Sequence, residues 1–253
     1  MLCIPKKARE SIRDIDNNYL LYNRFLYDYV VGKGSVETTY SRKGTIVKCD
    51  YGDLFRSVSE SIEKTAKNFP AYISYKFIPH DKIAVGMSCD PPTITLHPVY
   101  GMPYIPASAI KGVIRNCYIQ NNFTGSEEDA LKDAVFVKFF GASVQESNLG
   151  FAHEKLIFLD AFPCKEFEIY WDVQTPHFKY YYNEAKKPPT DTMDPVPLRF
   201  PIVKNTEFKI YICSYDTSCD FNSIDRIIKE AFEKYGIGAK TALGYGLGKI
   251  ASE

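Results

Sequence analysis

The chain has 253 residues, of which 45% are hydrophobic, and this is enough to bury the core of one large domain. Lysine plus arginine and aspartate plus glutamate number 31 each, so the formal net charge is zero. This balance excludes a protein that attracts nucleic acid through a global positive field. Any contact with RNA or DNA must therefore come from a local basic surface.

The cysteines and histidines predict no metal site and no cofactor. The seven cysteines are scattered, without a CxxC pair, and the four histidines form no HxH or HxxxH pair. An odd number of unpaired cysteines also argues against a disulfide framework, so we expect reduced thiols in a cytoplasmic protein. Charged residues interrupt the apolar stretches near the N-terminus, so neither a signal peptide nor a membrane span is predicted.

Residues 1–81 are predicted to be mainly helical and to extend the core. The aromatic stretch at residues 18–31 favours an amphipathic helix, and a basic loop with Arg42, Lys43 and Lys48 follows it. Apolar residues then recur at helical spacing over residues 54–69, up to Pro70. A second helix is expected to stop before this proline.

Residues 82–253 are predicted to form the core domain. Residues 82–88 favour a strand, and the segment "YIPASAIKGVIRNCYI" predicts a helix with Ser108 as its N-cap. The apolar residues of this helix repeat at positions i, i+3, i+4, i+7 and i+8 from Ile110, which is typical of one buried face. Lys111 and Arg115 share the opposite face.

The second half of the core is predicted to consist of strands followed by a helix. Residues 155–163 and 167–173 favour two strands joined as a β-hairpin, and residues 174–205 an irregular insertion with an aromatic run. A strand is expected at residues 207–214. A helix capped by Asn222 or Ser223 then carries an apolar stripe as far as Tyr235, with Gly236 as its stop. This order predicts an α+β fold, a ferredoxin-like (RRM-like) βαββαβ domain with insertions and a helical N-terminal extension.

The segment "GIGAKTALGYGLGKI" places five of the chain's 15 glycines within residues 236–248. It is not a Walker loop, because Leu243 stands where the first glycine belongs and Ile250 follows Gly248-Lys249. It is not a dinucleotide fingerprint either, because Thr241 replaces the third glycine. The predicted order makes this segment a glycine-rich loop between the second helix and the last strand.

In a ferredoxin-like domain both helices lie on one face of the sheet, so this loop would meet the start of the first helix. Free main-chain N–H groups and cations would then suit a phosphodiester backbone, without reading the bases. The predicted RNA-binding residues are Ser108, Lys111, Arg115, Gly236, Gly238, Lys240, Thr241 and Tyr245. The competing interpretation is that the two helical cations form a solvated face and that the glycines only permit tight packing.

An aromatic cluster admits three interpretations. It comprises Tyr170, Trp171, Phe178 and residues 180–182. Such a cluster can stack unpaired bases, but it can also form core or a subunit interface. The few charges between its members favour core or interface.

The two motifs together resemble a known family. "YIPASAIKGVIR" is similar to the first-helix motif of the RAMP proteins, commonly written iPGSSlKGalR, and the glycine-rich loop is similar to their C-terminal loop. Ala107 and Ala109 stand where that motif has glycine and serine. Within the RAMP proteins, "TITLHPVYGMPYIPASAIKG", "FLDAFP" and "DVQTPHFKYYY" resemble the sixth-subunit family of the Cmr complex, the type III-B CRISPR effector. The matches span residues 82–250.

This resemblance implies a ferredoxin-like, noncatalytic structural subunit near the head of a helical ribonucleoprotein in antiviral defence. The implied partners are crRNA, held towards its 3′ end, and other Cmr subunits, especially the repeated backbone subunit. Target RNA would be contacted indirectly, and no membrane is implied. In the backbone subunit of that family an aspartate between the first strand and first helix cuts the target. Here Asp90, beside Pro91-Pro92, is the one acidic residue between Lys82 and Ser108, so no catalytic residue is expected.

Two rival functions remain open at this stage. A stand-alone RAMP endoribonuclease that processes repeat RNA would need a base such as His97 or His177. A protein-interaction module would use the tyrosine-rich insertion and bind no RNA.

Overall fold

The computed structural model describes residues 17–20, 45–47, 51–89, 92–142, 156–175 and 197–253. The helices are α1 (Asn18–Leu20), α2 (Asp53–Lys67), α3 (Ala107–Phe123), α4 (Glu127–Ala130), α5 (Ala134–Phe140) and α6 (Asn222–Glu230). The strands are β1 (Thr45–Val47), β2 (Ala71–Pro79), β3 (Lys82–Ile83), β4 (Ser88–Cys89), β5 (Pro92–Thr93), β6 (Ile157–Phe158), β7 (Phe162–Pro163), β8 (Glu168–Gln174), β9 (Leu198–Lys204), β10 (Phe208–Ser214) and β11 (Gly248–Ser252). Helices and antiparallel sheets together confirm the predicted α+β class. Among the described residues, no helix combines the length and apolar character needed to cross a bilayer.

The central sheet has the strand order β11–β2–β10–β6, and β7 also pairs with β10. All of these pairs are antiparallel. Phe77 of β2 lies opposite Phe208 of β10 on one side and Ile250 of β11 on the other. The strand predicted at residues 82–88 is therefore not the one that begins this sheet, because β2 has the alternating buried residues Tyr75 and Phe77 that a central strand needs.

Helices cover both faces of this sheet. The buried stripe of α3, with Ile110, Ile114 and Cys117, packs in the main core with the stripe of α6. This confirms both predicted apolar faces. On the other face, Ala66 of α2 packs with Tyr211 of β10. The predicted helix at residues 54–69 is confirmed as α2, which ends at Lys67 ahead of Pro70.

The two predicted helix starts differ in detail from the structure. Helix α3 begins at Ala107 after Pro106, so Ser108 lies inside the first turn and is not the N-cap. Helix α6 begins after Phe221, and no side chain caps it. It continues as a π turn over Ala231–Tyr235 and stops at Gly236, whose φ of 74° confirms the predicted glycine stop.

The second sheet has the order β1–β8–β9–β3 and corrects the predicted hairpin. Residues 157–163 pair with β10, whereas β8 pairs with β9. Strand β9 lies in the stretch predicted as an irregular insertion. Its Pro201 suggested a loop, yet β3 pairs only with Val203 and Lys204, so the missing N–H of Pro201 costs no hydrogen bond to β3.

Some predictions fall outside the described residues. These are residues 21–31, the basic loop residues Arg42, Lys43 and Lys48, Asp90, the base candidate His177, and the aromatic residues of the insertion from 178 to 182. The division of the chain at residue 81 stays a prediction. Strand β2 nevertheless joins residues on both sides of that division in one sheet.

Candidate functional site

The glycine-rich loop leaves the π turn at Gly236, forms a 3-10 turn over Thr241–Leu243 and enters β11 at Gly248. Its backbone lies against the segment that follows β2. The N–H of Ala239 donates to the carbonyl of Ala84 at 2.7 Å, and the N–H of Gly246 donates to that of Lys82 at 2.8 Å. The loop is therefore held at both ends by main-chain hydrogen bonds to residues 82–84.

Three of the five glycines of this segment have no room for a side chain. At Gly248 an added Cβ would lie 2.3 Å from the carbonyl oxygen of Ile78. At Gly246, with φ 65°, an added Cβ would lie 1.9 Å from the carbonyl oxygen of Ile237. At Gly238, with φ 93°, it would lie 2.5 Å from the oxygen of Ala84. Gly244 also has a positive φ, but a Cβ there would meet no atom within 4 Å. Tight packing accounts for Gly238, Gly246 and Gly248, whereas no packing contact requires a glycine at position 244.

The two long side chains of the loop that were predicted to face RNA, Lys240 and Tyr245, both contact other residues of the protein. Lys240 donates a hydrogen bond from Nζ to Oε1 of Gln174, and the same Nζ lies 4.7 Å from the centre of the Phe200 ring. Tyr245 is only 6% exposed, and its hydroxyl donates to Oδ2 of Asp172 at 2.6 Å. In this structure Lys240 and Tyr245 hold the loop to the second sheet.

Asp172 is the centre of this contact. Its Oδ2 also accepts a hydrogen bond from Nζ of Lys82 at 2.6 Å, and its Oδ1 accepts one from the N–H of Val173 at 2.8 Å. Burial alone would raise the pKa of Asp172, but the hydrogen bonds from Lys82 and Tyr245 outweigh it and lower that pKa. The hydrogen bond to Asp172 raises the pKa of Lys82. Both groups are therefore charged at neutral pH.

On α3, the predicted residues lie near the start of the helix. Ser108 is exposed, and Lys111 is half-buried, with a pKa that is lowered first by burial and then by the neighbouring Arg115. Arg115 donates to Oε1 of Glu127 at 2.6 Å, and its guanidinium carbon lies 5.0 Å from the centre of the Phe136 ring. Arg115 thus also has a structural role, because it joins α3 to α4 and α5.

The first turn of α3 differs from the open cradle of N–H groups predicted there. The N–H of Ala107 donates to Oδ1 of Asp160 at 2.7 Å, and those of Ala109 and Ile110 donate to the carbonyl of Pro106. Only the N–H of Ser108 has no acceptor among the described residues. Sequence analysis missed Asp160, although the "FLDAFP" motif contains it, because nothing in the local pattern shows that this aspartate reaches a helix 53 residues earlier in the chain.

The predicted residues form two groups with different contacts. Gly238, Lys240 and Tyr245 are held by β3, β8 and their flanking residues, whereas Arg115 is held by α4 and α5. Gly236 and Thr241 lie at the two ends of the first half of the loop. That the loop and the start of α3 form one continuous surface stays a prediction.

His97, which the sequence offered as a candidate base, is held in place by main-chain hydrogen bonds and by ring stacking. Its Nδ1 accepts hydrogen bonds from the N–H groups of Val99 at 3.3 Å and Tyr100 at 3.2 Å. Its ring stacks on Tyr100 with centroids 4.4 Å apart. Burial lowers the pKa of His97, although the nearby Asp160 carboxylate opposes this effect. In the described part of the chain, no three His, Cys, Asp or Glu side chains are grouped so as to hold a metal ion.

Comparison with known proteins gives one family. The profile of the RAMP superfamily matches residues 92–249. The chain is 29% identical over 229 residues to the CRISPR system Cmr subunit Cmr6 of Pyrococcus furiosus, covering 69% of this chain and 66% of that relative. It is 25% identical over 250 residues to the CRISPR system CMR subunit Cmr6 of Saccharolobus solfataricus, covering 97% of this chain and 76% of that relative. The chain thus spans about two thirds to three quarters of the length of these relatives.

A solved structure shares the fold. It is a chain in the cryo-EM structure of the Type III-B Cmr-beta bound to cognate target RNA. The TM-score is 0.60 at 20% identity, and the match covers 98% of this chain and 88% of that chain. At this identity the likeness concerns the fold alone.

Proposed function

Because this chain belongs to the RAMP superfamily, we propose that it is a noncatalytic structural subunit of a cytoplasmic type III-B Cmr effector complex. In this proposal it binds the backbone of the crRNA near the 3′ end. The observation that carries the proposal is the alignment with a Cmr6 subunit over 97% of the chain. The fold shared with a chain of a Cmr-beta complex supports it.

The topology supports a ferredoxin-like core for this subunit. In chain order, β2, α3, the β6–β7 segment, β10, α6 and β11 follow the order βαββαβ, and the sheet order is β11–β2–β10–β6. The β8–β9 pair then belongs to an inserted second sheet. The glycine-rich loop joins the last helix of this core to its last strand.

Main-chain N–H groups of the loop and cations of α3 support binding to a phosphodiester backbone. In the 3-10 turn the N–H groups of Thr241 and Ala242 donate to no other described residue, and α3 adds the charges of Lys111 and Arg115. Main-chain N–H groups and cations contact phosphates whatever the base sequence. The proposed partners are therefore crRNA and the other Cmr subunits, especially the repeated backbone subunit, with target RNA contacted only indirectly.

The environment of His97 supports a noncatalytic role. A general base needs a free nitrogen within hydrogen-bond reach of the proton it removes. Nδ1 of His97 already accepts two main-chain hydrogen bonds, and the ring is stacked on Tyr100. This arrangement favours a structural histidine over the base of a stand-alone ribonuclease.

The test is reconstitution of the complex with this subunit present, absent or changed to His97→Ala. We expect bound RNA from the wild-type complex to be crRNA, and its recovery to fall when Lys111, Arg115 and Lys240 are replaced together. Target cleavage should be unchanged in His97→Ala. Loss of cleavage in His97→Ala, with assembly and crRNA content intact, would contradict the noncatalytic role. Full crRNA retention in the triple variant would instead favour a protein-interaction module.

A further inference from the structure

Two polar side chains of β8 each hold one side chain of the glycine-rich loop. Successive residues of a strand point to opposite faces, so Asp172 and Gln174 share a face. Asp172 accepts the hydroxyl hydrogen of Tyr245, and Gln174 accepts a hydrogen bond from Lys240. The loop is thus attached to the second sheet at two points, one on each side of its 3-10 turn.

A single carboxylate oxygen of Asp172, Oδ2, makes this attachment. Oδ2 is 2.6 Å from both Nζ of Lys82 and the hydroxyl oxygen of Tyr245, and Lys82 lies 4.5 Å from the centre of the Tyr245 ring. The carbonyl of the same Lys82 accepts the N–H of Gly246. Asp172 therefore links β8, the start of β3 and the end of the loop.

Lys240 makes the second attachment. Its φ of 61° is unfavourable for a residue other than glycine, so the surrounding contacts must hold it there. Its amino group contacts Gln174 and the face of Phe200, and its carbonyl accepts the N–H of Leu243 at 2.9 Å. The backbone of Lys240 thus starts the turn while its side chain is turned towards the second sheet.

Between these attachments the turn is open to solvent. Ala242 and Gly244 are exposed, and Leu243 is 71% exposed. The N–H groups of Thr241 and Ala242, which donate to no other described residue, lie in this same stretch.

From this arrangement we propose that Asp172 and Gln174 are positioning residues for RNA binding. They fix the loop so that residues 241–244 contact the RNA, and they use Lys240 as an internal attachment and not as a phosphate contact. This inference rests on the proposed function, because it names the part of the loop that meets the RNA.

The experiment compares Asp172→Asn, Gln174→Ala, Tyr245→Phe and Lys240→Ala with a matched control. Glu207→Gln is that control, because Glu207 also accepts hydrogen bonds or ion pairs from two lysines, Lys76 and Lys165, but does not touch the loop. Amide hydrogen exchange of residues 236–247 is measured in the RNA-free protein. Affinity for crRNA is measured in the reconstituted complex at several salt concentrations.

In Asp172→Asn, Gln174→Ala and Tyr245→Phe, we expect the loop amides to exchange about tenfold faster than in the wild type. The same variants should bind crRNA at least fivefold more weakly than the wild type does. The slope of log K against log salt should stay at the wild-type value in all of them, including Lys240→Ala. Glu207→Gln should change neither measurement. Tyr245→Phe removes a single hydroxyl, so it keeps the test valid if the Asp172 variant folds poorly.

Three results would overturn the inference. Loop exchange at the wild-type rate in Asp172→Asn would show that the carboxylate does not hold the loop. Faster exchange with unchanged crRNA affinity would show that loop position does not matter for binding. A slope reduced by about 0.7 in Lys240→Ala would make Lys240 a phosphate contact. A wild-type complex without bound RNA would overturn the proposed function as well, whereas the first three results leave that function standing.

Discussion

Gly112 occupies an exposed position of α3, next to Lys111. A Cβ added to Gly112 would meet no atom within 4 Å. In a helix interior glycine is less favourable than alanine by about 1 kcal/mol. Nothing in the described fold therefore requires a glycine at this position, and we expect it to serve the proposed RNA contact, because a bare backbone lets a phosphate approach closely.

We expect Gly112→Ala to raise the free energy of unfolding by about 0.5–1 kcal/mol, because alanine loses less backbone entropy. The same variant should weaken crRNA retention in the complex, because the methyl group separates α3 from the phosphates. Chemical denaturation and RNA quantification measure the two effects. Asn116→Ala, at another exposed position of α3, controls for helix propensity. A stabilised variant with full crRNA retention would show that no partner approaches Gly112.

The cations of α3 should differ in what their removal does. Lys111→Ala should reduce the slope of log K against log salt by about 0.7, the value for one phosphate contact on a single strand. Arg115→Ala should do the same and also lower the melting temperature, because it loses the contacts with Glu127 and Phe136. Glu127→Gln, which leaves both cations in place, should keep the slope. An unchanged slope in Lys111→Ala would return this helix face to the solvated interpretation.

At the scale of elements, two glycines of the glycine-rich loop allow the cost of a positive φ to be measured apart from the cost of a steric clash. Gly246→Ala should destabilise the protein by more than about 2 kcal/mol, because a left-handed φ alone costs about 1–2 kcal/mol and the methyl group would also clash with the carbonyl of Ile237. Gly244→Ala has the same unfavourable φ without the clash, so it should cost only about 1–2 kcal/mol. Thermal unfolding of both variants gives the comparison. Equal melting temperatures would mean that the loop can move away from Ile237.

The elements that sequence predicted well are those whose signal is local. The apolar stripes of α3 and α6 and the glycine stop at Gly236 depend on spacing within one segment, and all are present. Strand partners depend on distant residues, which is why the predicted hairpin was wrong. The same holds for the site, since Tyr245 and Asp172 are 73 residues apart and nothing in either segment indicates their contact.

At the scale of the whole molecule, paired carboxylates make stability depend on pH. Hydrogen bonds from Lys165 and Lys76 lower the pKa of Glu207, and those from Lys82 and Tyr245 lower that of Asp172. The unfolded chain therefore binds protons more readily, with pKa values near 4.5 and 3.8. Stability from these groups is present above those values and is lost as the pH falls below them.

We thus expect the free energy of unfolding to fall as the pH is lowered from about 5 to about 3, which is the range where carboxyl groups of an unfolded chain take up protons. Chemical denaturation across this range measures it. The double variant Asp172→Asn with Glu207→Gln should be less stable at pH 7 and should show a flatter dependence. A double variant as steep as the wild type would assign the acid sensitivity to other carboxylates.

The pairing of β2 with β11 also fixes an order in which this sheet can form during synthesis. Phe77 and Ile250 lie side by side in the sheet, although the ribosome makes them far apart in time. Until residues 248–252 leave the exit tunnel, β2 has one unpaired edge and the glycine-rich loop has no strand to anchor its second end. The nascent chain must therefore keep this edge from other strands, and the proposed RNA-binding loop cannot be fixed at its second end before β11 has emerged.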